Sequence, residues 1–124
     1  MGRGSGARNE TGRRGEDLAI QFLTDRGLRL LDRNYRAGHR ELDVVMLSSD
    51  RRRLHIIEVK SLNGALSGEP YERVDTKKRR FMISAAGAYL KEKKLDCEVQ
   101  FDIVSIILDK EESDIQYIPG AFMP

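Results

Sequence analysis

The sequence has almost none of the features that mark a secreted or membrane protein. Cys97 is the single cysteine among 124 residues, which excludes an internal disulfide and is typical of a reducing cytoplasm. No apolar run approaches the roughly 18 residues of a membrane-spanning helix, and the start MGRGSGARNETGRRG has no apolar signal region. We therefore expect a cytoplasmic protein that has no membrane partner.

Charge is plentiful in this chain but unevenly spread. Charged residues make up 34% of the chain and hydrophobic residues 40%, which allows a modest core, and the formal net charge is only +2. Basic residues nevertheless cluster in three places: the glycine-rich start, Arg51–Arg53 and Lys77–Arg80. One such cluster is usually a solvated surface, but three in a nearly neutral chain favour a polyanionic partner.

Apolar periodicity divides the chain into a tail and one domain. Residues 1–11 have no apolar period and are expected to form a flexible Gly/Arg-rich tail, while residues 12–124 form a single domain. The predicted elements are a helix Gly12–Arg26, strands Leu28–Arg36, Glu41–Leu47 and Leu54–Ser61, a loop at 62–74, a helix from Asp75 or Thr76 to about Lys94, a strand Val99–Leu108 and a short last strand. This order predicts an α/β fold with a mixed central sheet flanked by helices.

The strand LHIIEVKS, residues 54–61, contains charges where an apolar run is expected. Side chains alternate between the faces of a strand, so Leu54, Ile56, Glu58 and Lys60 share one face. A carboxylate and an ammonium beside a hydrophobic core cost several kcal/mol unless another group compensates for them. The charges in this strand therefore need a partner.

Pairing with the preceding strand brings a second carboxylate to the same place. If residues 48–53 form the hairpin loop, the rungs on this face are, in order, Leu47–Leu54, Val45–Ile56, Asp43–Glu58 and Glu41–Lys60. Like charges directly opposite each other, with Cβ atoms about 5 Å apart, are destabilising. The predicted register thus creates an acid pair at the end of an apolar face.

A divalent cation would explain this acid pair. Mg²⁺ uses one or two carboxylates and keeps several waters for substrate phosphates. Lys60, on the same face as Glu58, could then orient an attacking water and stabilise charge on phosphorus. The alternative is a surface ion-pair network in which Glu41 pairs with Lys60 and the other two acids are solvated, and spacing alone does not separate the two interpretations.

The ordered set of charged residues resembles a known nuclease motif. Glu16 on a helix, Glu-Leu-Asp at 41–43 and Glu-Val-Lys at 58–60 resemble the PD-(D/E)XK motif of restriction endonucleases and archaeal Holliday-junction resolvases. From Gly12 to Phe122 the chain is similar to the bacterial YraN family of predicted endonucleases, through GRRGEDLAIQFLTDRG, RNYRAGHRELDVVM, IIEVKSLNGALSGEPYERVDTKKRRFMISAAGAYL, QFDIVSI and IPGAF. Two departures are Arg40, where the family commonly has glycine, and the missing proline of the motif.

The resemblance implies a restriction-endonuclease-like αβββαβ core and a role for each motif residue. Asp43 and Glu58 would be metal ligands, and Lys60 would be the lysine of the motif. Glu16 would be the helical acid that completes the site, directly or through water. A first-turn acid favoured by the helix dipole is the alternative for Glu16.

The remaining charged residues receive weaker assignments. Lys77 and Arg80 match positions where the family carries basic residues and would contact phosphates of nucleic acid, the alternative being a solvated helix start. Glu41 is expected to be the partner of Lys60 rather than a member of the site. The sequence assigns no role to Asp102 or His39.

Three functions follow from these observations. The first is a Mg²⁺- or Mn²⁺-dependent endonuclease that hydrolyses phosphodiester bonds in DNA, including branched or structured DNA. The second is a nucleic-acid-binding module of the same fold with little or no turnover. The third is an interaction protein whose charges only solubilise a small sheet. A resolvase-like enzyme would need two sites and hence a homodimer, and the choice between DNA and RNA is open at this point.

Overall fold

A computed structural model describes residues 9–63, 74–109 and 113–124 of the chain. Most of the predicted tail and of the predicted loop at 62–74 lies outside these ranges. In the part of the chain that is described, neither helix is both long enough and apolar enough to cross a membrane.

The order of elements agrees with the order predicted from periodicity. The elements are α1 (Asn9–Thr24), β1 (Arg29–Ala37), β2 (Arg40–Leu47), β3 (Arg53–Asn63), α2 (Thr76–Lys93), β4 (Glu98–Leu108) and β5 (Ser113–Phe122). The first helix begins at Asn9 rather than Gly12, because apolar periodicity marks only the packed part of a helix. Gly27, with φ of 99°, follows that helix in the left-handed conformation expected of a terminating glycine.

The five strands form one mixed sheet in the order β1-β2-β3-β4-β5. Three neighbouring pairs are antiparallel, and β3 and β4 are parallel. The parallel pair needs a crossover connection, which contains α2. The predicted α/β fold with an αβββαβ core is thereby confirmed.

The two helices cover opposite faces of the sheet. On the α2 face, Ile56 and Phe101 are buried with Met82 and Tyr89 of the helix. The core on the α1 face contains Ala19 and Leu23 of the helix together with Val44, Ile57 and Val104 of the sheet. Successive residues of β3 therefore alternate between two separate cores, as a strand buried on both sides requires.

Helix α1 approaches the sheet so closely that one helical position must be glycine. A Cβ atom built on Gly15 would lie 1.7 Å from Ser61 Oγ and 2.8 Å from Ser61 Cβ. No side chain fits in that space, so the glycine sets the distance between the first turns of the helix and the end of β3. The same contact brings Glu16, the next residue, over the sheet.

Candidate metal centre

The centre lies where β2 and β3 separate. Their pairing runs from Leu47↔Leu54 through Val45↔Ile56 to Val44↔Ile57, which is the predicted register, and it ends there. The predicted third rung is replaced by a side-chain contact, since the Val59 amide donates a hydrogen bond to Asp43 Oδ2 at 2.9 Å.

A break in the alternation of β2 puts Asp43 into the gap between the strands. Leu42 and Val45 both belong to the core on the α2 face, whereas Val44 belongs to the core on the α1 face. On its other edge β2 stays paired with β1, Leu42 with Tyr35 and Val44 with Arg33. The carboxylate of Asp43 therefore accepts the Val59 amide just beyond the end of the β2–β3 ladder.

Asp43 and Glu58 form a close pair of carboxyl groups. Glu58 is buried, with 9% of its side chain exposed. Loss of solvent around Asp43, followed by repulsion from Glu58, raises the pKa of Asp43 from 3.8 to about 7, and a hydrogen bond between the two carboxyl groups acts in the same direction. The juxtaposition predicted from the register is thus present, although the backbone ladder does not extend to it.

Two lysines contact Glu58 from different elements. Lys60 Nζ, on β3, lies 3.9 Å from Glu58 Oε2, and Lys78 Nζ, on α2, lies 3.5 Å from Glu58 Oε1. Lys78 also lowers the pKa of Asp43 through its charge, against the larger effects of burial and Glu58. The sequence pattern assigned roles to the neighbouring Lys77 and Arg80 but none to Lys78.

Glu16 approaches this pair from α1 but is held by β1. Its carboxylate accepts hydrogen bonds from Arg33 Nε and Asn34 Nδ2, both at 3.2 Å. Burial first, and then the charge of Asp43, raises the pKa of Glu16, while Asn34 and Arg33 oppose the shift. Asn34 has a φ of 53°, a left-handed conformation that asparagine tolerates. Glu16 is thus close enough to interact with Asp43, but its oxygens have other partners.

The donor set is compatible with a small hard cation. Within residues 9–63, 74–109 and 113–124, no group of three or more His, Cys, Asp and Glu side chains is gathered to hold a metal. Mg²⁺ needs only one or two carboxylates in addition to water, and the pair Asp43–Glu58 supplies two with unfavourable mutual repulsion. These residues therefore fit a divalent ion bound through two carboxylates, with Glu16 nearby.

The prediction that Glu41 pairs with Lys60 is wrong. Glu41 pairs with Arg36 across β1 and β2, at 3.5 Å, and not with Lys60. The reason is the separation of β2 from β3 after Val44, which leaves Glu41 facing only β1. Lys60 lies instead against Glu58 on its own strand.

Further basic residues lie on α2 next to Lys78 and at the start of β2. Lys77 and Arg80 are exposed, in contrast to the partly buried Lys78 between them. Arg40, at the start of β2, has its guanidinium 5.8 Å from the centre of the Phe81 ring. His39 is exposed in the turn before Arg40 and is given no function. Lys77 and Arg80 thus present their charges to solvent, whereas Lys78 contacts Glu58 of the acid pair.

Asp102 belongs to a different cluster, which sequence reasoning could not place. It is fully buried on β4, and its oxygens accept hydrogen bonds from Tyr117 Oη at 3.0 Å, Gly120 N at 2.9 Å and Gln100 Nε2 at 2.8 Å. His55 Nδ1 lies 2.8 Å from Asp102 Oδ2. No signal in the sequence links these residues, because His55 and Asp102 meet only when β3 and β4 pair in parallel.

Comparison with known proteins identifies the family of this chain. The chain belongs to the family described as Uncharacterised protein family UPF0102, also known as YraN, which it matches over residues 15–106. It is 38% identical to a UPF0102 protein of Bacteroides thetaiotaomicron over 116 residues, which cover 94% of each chain. It is 39% identical to one from Chlorobium phaeobacteroides, with coverage of 93% of this chain and 95% of the relative. The predicted resemblance to this family is confirmed.

Proposed function

We propose that this protein is a metal-dependent phosphodiesterase that cleaves DNA internally, with Asp43 and Glu58 as metal ligands. The observation that carries the proposal is the close Asp43–Glu58 pair with two lysines within 4 Å of Glu58. Carboxylates that repel each other where solvent access is low are costly, and a site that binds a cation is a physical reason to retain them.

The chemistry of such a centre is hydrolysis at phosphorus. When bound, a divalent ion would lower the pKa of an attacking water and polarise a phosphoryl oxygen. The chain itself supplies the rest: Glu58 and Asp43 orient the ion, and the Lys60 ammonium stabilises the charge that develops on the phosphoryl oxygens. Glu16, which interacts with Asp43, orients water or completes the ligand set in this proposal.

The proposed substrate is DNA, and its contacts lie on the α2 side of the sheet. Lys77 and Arg80 are exposed beside Lys78, and Arg40 lies over Phe81 at the start of β2. A strand that follows these cations would bring a phosphate to the acid pair. Cleavage of a four-way junction would in addition require two copies of the chain, so we propose a homodimer on such a substrate.

The proposal is tested by cleavage of nicked, flapped and four-way DNA with Mg²⁺ or Mn²⁺. We expect cleavage by the wild type and a loss on the order of 10²-fold or more in Asp43→Asn and Glu58→Gln. Glu41→Gln is the matched control, since it neutralises an acid of the same strand that pairs with Arg36 outside the centre. Cleavage that survives both central substitutions would contradict the assignment.

Thermal melting tests the metal site without any need for turnover. Millimolar Mg²⁺ or Mn²⁺ should stabilise the wild type, by about 2.7 kcal/mol at a hundredfold excess over Kd, and should not stabilise Asp43→Asn or Glu58→Gln. Absence of a shift in the wild type, with and without DNA, would eliminate the nuclease proposal. A metal-dependent shift and DNA binding without cleavage would instead support the binding-module alternative.

A further inference from the structure

Lys78 holds a fixed place at the start of α2. The Asp75 side chain caps this helix by accepting a hydrogen bond from the Lys78 amide at 2.8 Å. The cap determines the first turn, and Lys78 is then directed inwards while Lys77 and Arg80 are exposed. The backbone of Lys78 is therefore anchored, whereas its four-carbon side chain can change direction.

The two oxygens of Glu58 are each approached by a lysine. Lys78 Nζ is 3.5 Å from Oε1 and Lys60 Nζ is 3.9 Å from Oε2. The Glu58 side chain is 9% exposed, but the Lys78 side chain is 29% exposed and so retains a path to solvent. Of the two charges in this contact, only the ammonium is in a position to leave.

A metal ion and this ammonium compete for the same carboxylate oxygen. Mg²⁺ binds carboxylate oxygens at about 2.0–2.1 Å. An ammonium that stays 3.5 Å from Glu58 Oε1 would then face a doubly charged ion at short range, with strong repulsion in a site of low solvent access. Binding of the metal through Oε1 is consequently stronger when Lys78 moves away.

We propose that Lys78 is a resident counter-ion of Glu58 that competes with a divalent cation and that a phosphate of the nucleic acid draws away. This inference rests on the proposed function. In the absence of substrate, Lys78 neutralises the acid pair and weakens metal binding. When a phosphate provides the ammonium with another partner, Glu58 Oε1 becomes available. Metal and nucleic acid then bind with positive coupling, which is reciprocal by thermodynamic linkage.

The test is Mn²⁺ binding to the full chain, measured from the electron paramagnetic resonance signal of free Mn²⁺. Without DNA, we expect Lys78→Gln to bind Mn²⁺ more tightly than the wild type, on the order of five- to tenfold, because a competing charge is removed. Lys78→Arg retains the charge and should stay within about twofold of the wild type. Lys91→Gln, an exposed lysine in the last turn of the same helix, is the control for net charge and should also match the wild type.

The same titration with a short DNA duplex tests the coupling. Duplex DNA should tighten Mn²⁺ binding to the wild type, after correction for Mn²⁺ bound by DNA alone, and should do so much less in Lys78→Gln. Lys78→Met, which keeps the hydrocarbon stem, serves if the glutamine variant does not fold. Equal or weaker Mn²⁺ binding by the neutral variants, with a wild type that binds the ion, would overturn this inference and leave the proposed function standing.

A different result would overturn the proposed function itself. If neither the wild type nor Lys78→Gln binds Mn²⁺, with and without DNA, both the metal site and its counter-ion are rejected. If Lys78→Gln binds the ion and the wild type binds it only with DNA, both are supported.

Discussion

Two aspartates on this sheet, Asp102 fully buried and Asp43 partly buried, differ in how the fold satisfies them. Asp102, on β4, has no exposed surface, and its two oxygens are contacted by His55, Gln100, Tyr117 and Gly120. Asp43, on β2, accepts a backbone hydrogen bond from Val59 and lies against another carboxyl group. Asp102 therefore has hydrogen-bond donors at both oxygens, whereas Asp43 has one backbone donor and lies against the carboxyl group of Glu58.

The comparison shows that burial by itself does not mark a functional acid. Donors around Asp102 satisfy both of its oxygens and tie β5 to the rest of the sheet through Tyr117 and Gly120. Among the described residues, the Asp43–Glu58 pair has no comparable set of donors and is stabilised instead by cations, the ammonium groups of Lys60 and Lys78. A cluster that needs a cation is the better candidate for a metal site.

The largest effect is expected on the Asp102 side of the comparison. Asp102→Ala should lower the free energy of unfolding by about 3–5 kcal/mol, because it leaves several buried donors without an acceptor. Urea unfolding measures the change, and divalent ions should not alter it. Tyr117→Phe, which removes one of the donors, should cost only about 1 kcal/mol. If the free energy of unfolding of Asp102→Ala is less than about 1 kcal/mol below that of the wild type, Asp102 does not have the structural role assigned to it.

The Asp43 side should respond to pH in a characteristic direction. The pKa of Asp43 is about 7 in the folded chain, against an ordinary value of 3.8. Below about pH 4 the group is protonated in both states. Between about pH 4 and 7 the unfolded chain releases a proton that the folded chain retains, so the free energy of unfolding falls as pH rises, and above pH 7 it levels off.

Asp43→Asn isolates this effect. The variant should lose the part of the pH slope that Asp43 causes, and near pH 8 without metal it should be as stable as the wild type or more stable, by up to a few kcal/mol. Urea unfolding at a series of pH values, with both proteins in metal-free buffer, gives the difference. If Asp43→Asn is less stable than the wild type at pH 8 and its stability depends on pH as in the wild type, Asp43 is a stabilising structural acid like Asp102.

Lys60 sharpens the comparison within the centre. Lys60→Ala should keep the thermal shift caused by Mn²⁺, since both carboxylates remain, but should reduce DNA cleavage on the order of 10²-fold if the ammonium stabilises charge on the phosphoryl group. Melting curves and initial cleavage rates are measured on the same preparation. If Lys60→Ala instead loses metal binding and cleavage to the same extent, Lys60 is needed for the structure of the metal site and not for the chemical step.

The smallest effect is expected at the exposed cations. Replacement of Lys77 and Arg80 by alanine should weaken DNA binding and reduce the slope of log K against log salt by about one for each phosphate that the variant no longer binds. Stability should change little, because both side chains are exposed. Fluorescence anisotropy at several salt concentrations provides the slope. An unchanged slope of log K against log salt would show that both residues are only solvated residues of the helix surface and do not contact phosphates.

Much of the fold could be predicted from local patterns. The start of α2 follows from a capping residue at Asp75, and its buried face with Met82, Ala85 and Tyr89 follows from helical periodicity. The hairpin register from Leu47↔Leu54 follows from the alternation of side chains along the two strands. What failed was the extension of that register past Val44, where the ladder to β3 ends although β2 remains paired with β1. A period of two cannot reveal where the pairing between two strands stops.

The candidate site was only partly accessible to the same reasoning. The approach of Asp43 to Glu58 was predicted because both residues belong to one hairpin and are separated by a short loop. Lys78, Arg33 and Asn34 were missed, because they reach the acids from α2 and β1 across long separations in sequence. Their contacts depend on how each helix is rotated on the sheet and on the left-handed backbone conformation of Asn34 within β1.

The sequence by itself determined which acids would meet, because alternation along two adjacent strands and the length of their loop leave one register that buries the apolar residues. It also determined the order of helices and strands through their apolar periods. Only the tertiary structure decided which acid is satisfied and which is not: the parallel pairing of β3 with β4 brings His55 to Asp102, and the docking of α2 brings Lys78 to Glu58. These contacts join segments that are far apart in the chain, so no local sequence pattern predicts them. They form only when the helices and strands pack together in the complete sheet.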